Sequence, residues 1–158
     1  AGCGTFIVHA RNAILKGLSP KENREIPPLK YDYVHRLKRD FPSLEIVLNG
    51  GLVDWETISA QLALVDGVML GRIAYHNPWF LTRPLGERAP SRSTVVDAMQ
   101  AYAARELGRG TPLRHIARHM LGLYHGRPGG RIWRRRLGEA AIRPDAGSMG
   151  RTATLPLV

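Results

Sequence analysis

The sequence predicts an α/β fold that gives way to an all-helical region. Three observations predict it. Apolar runs of strand length stand at residues 5–8, 45–48 and 67–70, and each ends in a polar or glycine-bearing cluster. Helical patterns lie between them. Beyond a Pro-, Gly- and charge-rich break at 84–91, only helical periodicity remains. Strand, helix, strand, helix, strand is a repeated β–α unit, which requires a parallel sheet with right-handed crossovers.

The elements follow in order. The run 5–8 reads as a buried strand that delivers His9 and Arg11 at its end. Residues 31–41 form a helix with Val34, Leu37 and Phe41 on one stripe, stopped by Pro42. The run 45–48 is a second strand ending at Asn49, Gly50 and Gly51. Asp54 caps a second helix that buries Ile58, Leu62 and Val65. The run 67–70 is a third strand, followed by Gly71 and Arg72, and 74–81 reads as a short helix. After the break, 94–107 is one helix. Thr111 caps another with Pro112 at its first position, carrying Leu113, Ile116, Ala117, Met120, Leu121 and Tyr124 at helical spacing. A third runs from 131 to about 142, with Ile132, Leu137 and Ala141 facing inward. The expected domains are 1–83 and 92–142, with a flexible tail at 143–158. Because the chain opens inside a strand pattern, an upstream portion is expected.

The 158 residues carry 23 Lys+Arg against 13 Asp+Glu, a formal charge of +10. Hydrophobic residues make 44% and charged ones 23%, which excludes a disordered, collagen-like or disulfide-scaffold chain. No apolar run approaches the roughly 18 residues of a membrane helix. The single cysteine, Cys3, cannot form an internal disulfide, which fits a reducing compartment. It lies in an apolar neighbourhood and reads as inert. The excess of positive charge favours a polyanionic partner.

In parallel barrels the chemistry sits at the carboxyl ends of the strands. Gly50 and Gly51 allow close backbone approach to a ligand. Gly71, Arg72 and a helix start combine backbone N–H groups with a guanidinium, a combination suited to phosphate. His9 is placed to hydrogen-bond a cofactor. His115 and His119 have i, i+4 spacing but stand among arginines with no acidic ligand, so no metal is expected. From Arg105 to Arg136 there are nine arginines and one acid, Glu106. Arg131, Arg134, Arg135 and Arg136 cluster beside Trp133, and arginine helices beside aromatics suit RNA. Residues 18–25 form a second basic candidate in a long loop. On these residues alone three readings stand: a cofactor-binding enzyme acting on RNA, a cofactor or sugar-phosphate barrel without RNA, and a non-catalytic RNA-binding module.

The motifs HAR (9–11), KGLSPKENR (16–24), IPPL (26–29), NGG (49–51), DGVMLGR (66–72), AYHNP (74–78), RHMLGL (118–123) and PGGRIWRR (128–135) resemble the tRNA-dihydrouridine synthases of the A type. The resemblance reaches to about residue 142. It implies the last three β–α units of a TIM (β/α)8 barrel followed by a helical tRNA-binding domain. It implies reduction of D-loop uridines of tRNA with FMN, recharged by NADPH. It implies that His9, Asn49, Gly50, Gly51, Gly71 and Arg72 contact FMN, and that Lys21, Arg24, Arg131 and Arg134 contact tRNA. The family's catalytic cysteine lies in the earlier half of the barrel, and Cys3 is not at its position. The chain is therefore expected to be a carboxy-terminal portion with no catalytic residue of its own, inactive alone. The complete protein is expected to be cytoplasmic and monomeric, with no membrane or metal partner.

Overall fold

The computed structural model describes residues 2–142; the tail expected at 143–158 lies outside them. The chain divides into two compact units, one running to Gly71 and one beginning at Arg72. The division precedes the proline-rich break, so the segment from 72 to 88 groups with the helices.

The first unit is a three-stranded parallel sheet in the order β1 (Thr5–His9), β2 (Glu45–Asn49), β3 (Gly67–Met69). Helices α1 (Tyr31–Asp40) and α2 (Trp55–Leu62) make the crossovers. The register pairs His9 with Asn49 and Asn49 with Met69, so the three strands end at one level. β2 is the core strand: Ile46 and Leu48 are fully buried, with Val34 of α1 and Ile58 of α2. β1 departs from expectation. Phe6 and Ile7 are exposed, as is Met69 of β3, because both strands are edges of this sheet and their outer sides have no neighbour within the unit. Leu62 and Phe41 are also exposed rather than buried. Gln61 takes the inner position on α2, and its Oε1 lies 2.7 Å from His35 Nε2. Cys3 is an exposed free thiol.

Sequence explains these helices locally. The Asp54 carboxylate accepts the Thr57 amide at 2.7 Å, a side-chain N-cap. Phe41 ends α1 and precedes Pro42. Asp66 sets the start of β3 against β2. Its Oδ2 accepts the Ile46 amide at 2.8 Å and meets Lys38 Nζ at 2.8 Å. Lys38 Nζ also donates to the carbonyls of Pro42 and Leu44.

In the second unit, α3 covers Arg72–His76, earlier than the helix expected at 74–81. Pro78 enforces extended backbone at Asn77 (φ −142°, ψ 74°) and ends it. A 3-10 segment follows over Pro78–Arg88, kinked at Gly86. α4 (Arg92–Gly108) starts at Ser91, whose Oγ accepts the Thr94 amide. α5 spans only Leu113–Ala117, and its N-cap is Pro112, not Thr111. Beyond Ala117 the chain continues in tight turns, with amide-to-carbonyl bonds such as Met120 to Ala117 and Leu123 to Met120. This turn still buries Met120 and Leu123, because i, i+3 spacing serves a tight turn as well as a helix.

α6 (Gly130–Ile142) turns Trp133 and Leu137 inward, both fully buried, while Ile132 is exposed. Trp133 is thus a core residue and not part of the basic face. Its Nε1 donates to the Met120 carbonyl at 2.8 Å, which satisfies the one polar atom of a buried indole. Arg92 is structural too. It stacks on Trp79 at 4.1 Å, and its Nε donates to the Leu123 carbonyl. No described helix is long and apolar enough to cross a membrane.

The bond from the Ile46 amide, then the Lys38 ammonium, hold the Asp66 carboxyl below its ordinary range. A carboxyl whose folded pKa is depressed stabilises the fold above its unfolded value, near ~3.9, and loses that contribution as pH falls through the folded value. Asp66→Asn is expected to lower the thermal midpoint at pH 7. Melts recorded stepwise down to acid should show the gap from the parent narrowing below about pH 5; a gap constant with pH would refute the linkage.

Candidate nucleotide site at the strand ends

The common level of the strand ends puts the polar clusters at one edge of the first unit. The Ala10 amide donates to the Asn49 carbonyl at 2.7 Å, extending the ladder one residue past β1. His9 and Asn49 are direct register partners. Gly50 follows with φ 111° and Gly51 with φ 71°. A Cβ on Gly50 would stand 3.1 Å from the His9 ring, and one on Gly51 would overlap the Leu29 side chain. Both positions combine left-handed backbone with no room for a side chain.

The His9 ring has a defined role for each nitrogen. Nδ1 accepts the Arg11 amide at 3.2 Å. The neutral ring therefore carries its proton on Nε2, where it is a donor. Arg11 Nε donates to the Pro27 carbonyl at 2.7 Å, and its Nη1 is buried without a partner. Tyr31 opens α1 and donates its hydroxyl to the Gly50 carbonyl at 2.9 Å. Burial pushes the Tyr31 phenol above its usual range, with Arg11 acting in the opposite sense. Sequence reasoning gave no role to Arg11 or Tyr31. The available signal was alternation: Arg11 stands two residues after His9, on the same side of an extended chain.

Gly71 lies two residues past β3, with open space where its Cβ would be. Arg72 is the next residue and opens α3. The first unit thus brings together His9, Asn49, Gly50 and Gly51. Gly71 continues from the third strand end at the same level.

The loop between β1 and α1 is wired by its own polar side chains. Asn23 Oδ1 accepts the Ile14 amide at 2.7 Å, and its Nδ2 donates to the carbonyls of Ile14, Leu18 and Ser19. Glu22 accepts the Ser19 amide and Ser19 Oγ accepts the Glu22 amide, a reciprocal cap. These bonds hold a short 3-10 turn over Glu22–Arg24. Lys21 and Arg24, on either side of Glu22 and Asn23, are exposed. In the second unit Arg131 and Arg134 are exposed on α6, the helix whose Trp133 and Leu137 are buried. Among the described residues no group of three or more His, Cys, Asp or Glu could hold a metal ion. His119 instead accepts from Arg118 Nε at 3.2 Å and meets the Tyr75 ring edge-on.

The two kinds of glycine should separate in folding measurements. Gly51→Ala places a Cβ at positive φ against Leu29 and is expected to cost about 1–3 kcal/mol in urea unfolding. Gly71→Ala meets open space and should stay within about 0.5 kcal/mol of the parent. Equal losses at the two positions would contradict this geometry.

The chain matches known proteins over nearly its whole length. The family model described as Dihydrouridine synthase matches residues 1–153. The chain is 51% identical over 151 residues to the tRNA-dihydrouridine(20/20a) synthase of Xanthomonas campestris pv. campestris, covering 93% of this chain and 45% of that protein. It is 51% identical over 152 residues to the synthase of the same name from Shewanella oneidensis, covering 92% and 45%. Against that of Escherichia coli K12 it is 53% identical over 150 residues, covering 91% and 44%. The chain thus spans less than half the length of these curated relatives. With a family match over nearly its whole length, this chain belongs to the dihydrouridine synthase family.

Proposed function

We propose that this chain forms the FMN-phosphate and tRNA-holding part of a tRNA-dihydrouridine synthase that reduces uridines 20 and 20a of the D-loop. The observation that carries the reading is the convergence of His9, Asn49, Gly50 and Gly51 on one sheet edge. The names of the relatives supply the reaction. In this reading the three strands are the last three of an eight-stranded barrel, and the helices from α4 onward form the tRNA-binding domain.

The residues present fit a flavin nucleotide. Gly50 and Gly51 carry no side chain to cover the strand end, so a planar or anionic group can approach their backbone. Arg11 Nη1 is a buried donor without a partner in the protein, an arrangement that is costly unless a ligand satisfies it. His9 offers Nε2–H in its neutral form. Asn49, Gly71 and Arg72 complete the set, with Arg72 serving as a bidentate phosphate ligand. When bound, FMN supplies hydride for the uracil C5–C6 bond and is recharged by NADPH. The chain's own residues bind and orient. None of them is assigned as the proton donor.

The RNA side follows from charge and exposure. Lys21 and Arg24 sit on a loop whose Asn23 and Glu22 are consumed in wiring it. Arg131 and Arg134 sit on a helix anchored by Trp133 and Leu137. Phosphate contacts of this kind position RNA without reading its sequence. They allow the target base, which must leave its stack to reach the cofactor, to be presented in register.

Arg72→Ala is expected to lower the FMN retained through purification of the protein, read as the flavin-to-protein absorbance ratio. Occupancy equal to the parent would remove Arg72 from the site. Lys21→Ala and Arg24→Ala are expected to weaken tRNA binding and flatten its salt dependence by about one unit of slope per lost phosphate contact, with FMN retained. A protein that holds FMN but has no salt-sensitive affinity for tRNA would favour a flavin barrel without RNA.

A further inference from the structure

The second unit contains a basic cavity in whose lining only Arg134 has a role above. Gly122, in the turn after α5, packs against the His76 carbonyl at the end of α3 so closely that a Cβ would overlap it. This seats the turn against α3. The cavity beside this contact is open to solvent, has a volume of about 300 Å³ and is lined, beyond Gly122, by Tyr75, His76, Arg118, Leu121, His125 and Arg134. No carboxylate is among the lining residues. Tyr75 is 50% exposed, and its ring makes T-shaped contacts with His76 at 5.9 Å and His119 at 5.7 Å. Arg118 is oriented through Nε, which donates to His119 Nε2. Arg134 lies one helical turn from Arg131 on α6.

We propose that this cavity seats one nucleotide of the RNA, its phosphate held by Arg118 and Arg134 and its base laid against Tyr75. The proposal rests on the RNA reading above and assigns Tyr75 and Arg118 to it. The volume stands at the lower end of small-ligand pockets, about 300–1,000 Å³, and suits a single nucleotide, not a duplex stem. Two arginines without a competing carboxylate favour an anion. An exposed aromatic ring adds a stacking platform, which a free phosphate does not need and an unpaired base does.

The test is fluorescence anisotropy with an unmodified tRNA transcript over a salt series, using the protein and its Tyr75→Ala, Tyr75→Phe, Arg118→Ala and Lys21→Ala variants. Tyr75 and Arg118 are exposed, so folding is checked by melts that should match the parent. Tyr75→Ala is expected to lose about tenfold in affinity with the salt slope kept, and Tyr75→Phe to stay near the parent. Arg118→Ala should lose affinity and about one unit of slope. FMN retention should not change. If Tyr75→Ala and Arg118→Ala both bind like the parent while Lys21→Ala binds weakly, the cavity proposal is wrong and the RNA reading stands. If Arg118→Ala binds weakly but Tyr75→Ala does not, the cavity holds phosphate alone and the base assignment is wrong. If the parent itself shows no affinity, the RNA reading fails and the cavity proposal with it.

Discussion

The candidate site depends on the parallel register of three short strands. Parallel pairing puts all carboxyl ends at one edge, and the register puts His9, Asn49 and Met69 at one level. Two contacts pin that register from opposite ends. At the start, Asp66 grips the Ile46 amide and is held by Lys38. At the finish, the Ala10 amide takes the Asn49 carbonyl. A slip by one residue would bury Val47 in place of Ile46 and Leu48. It would also move Gly50 away from the His9 ring, which a Cβ there would crowd.

The loop leaving β1 is long, yet it is tied at both ends and in the middle. Ala10 serves as the anchor: its carbonyl accepts the Lys30 amide, so the loop returns to the residue from which it departs. Arg11 closes a second tie to Pro27. Asn23 supplies four bonds inside it. The polar residues of this segment therefore fall into two groups. Asn23, Glu22 and Ser19 spend their hydrogen bonds on the loop, while Lys21 and Arg24 project from the result. A flexible loop with the same charges would lose more entropy on binding than one ordered beforehand.

Much of this was legible in the residues and some was not. The parallel order, both crossover helices and the Asp54 cap follow from periodicity and from a side chain that accepts its own helix's amides. The burial of β1 was not legible. An apolar run records that a strand wants a neighbour on its faces, and only the sheet decides whether this unit supplies one. The end of α5 was hidden for a related reason: Met120 and Leu123 keep an i, i+3 rhythm that helix and tight turn share. Trp133 was misread from its company. Surrounded in sequence by arginines, it resembles a stacking residue. The 3.6-residue period sends it to the same side as Leu137, turns Arg131 and Arg135 the opposite way and leaves Arg134 on the flank. The glycine-bearing strand ends were legible as a candidate site, but Arg11 and Tyr31 became visible only through their bonds.

Net charge indicates a polyanionic partner only after the structural charges have been subtracted. Arg92 is held against Trp79 and the Leu123 carbonyl, where it cements the helical core. Arg105 and Arg109 both face Glu106, the only acid between Arg105 and Arg136. Arg135 reaches toward Glu139 at 3.9 Å. Among the described residues Arg114, Arg118, Arg127, Arg131 and Arg134 meet no carboxylate. Two of them, Arg118 and Arg134, line the cavity whose remaining wall includes Tyr75. Surface cations with no counter-ion cost little in water and are screened by salt. Two that share a concave wall offer one bound anion two guanidinium groups. In the proposed reading a phosphate placed there meets two guanidinium groups where an open arginine face offers one, so the cavity adds a held phosphate to those contacted by Lys21 and Arg24.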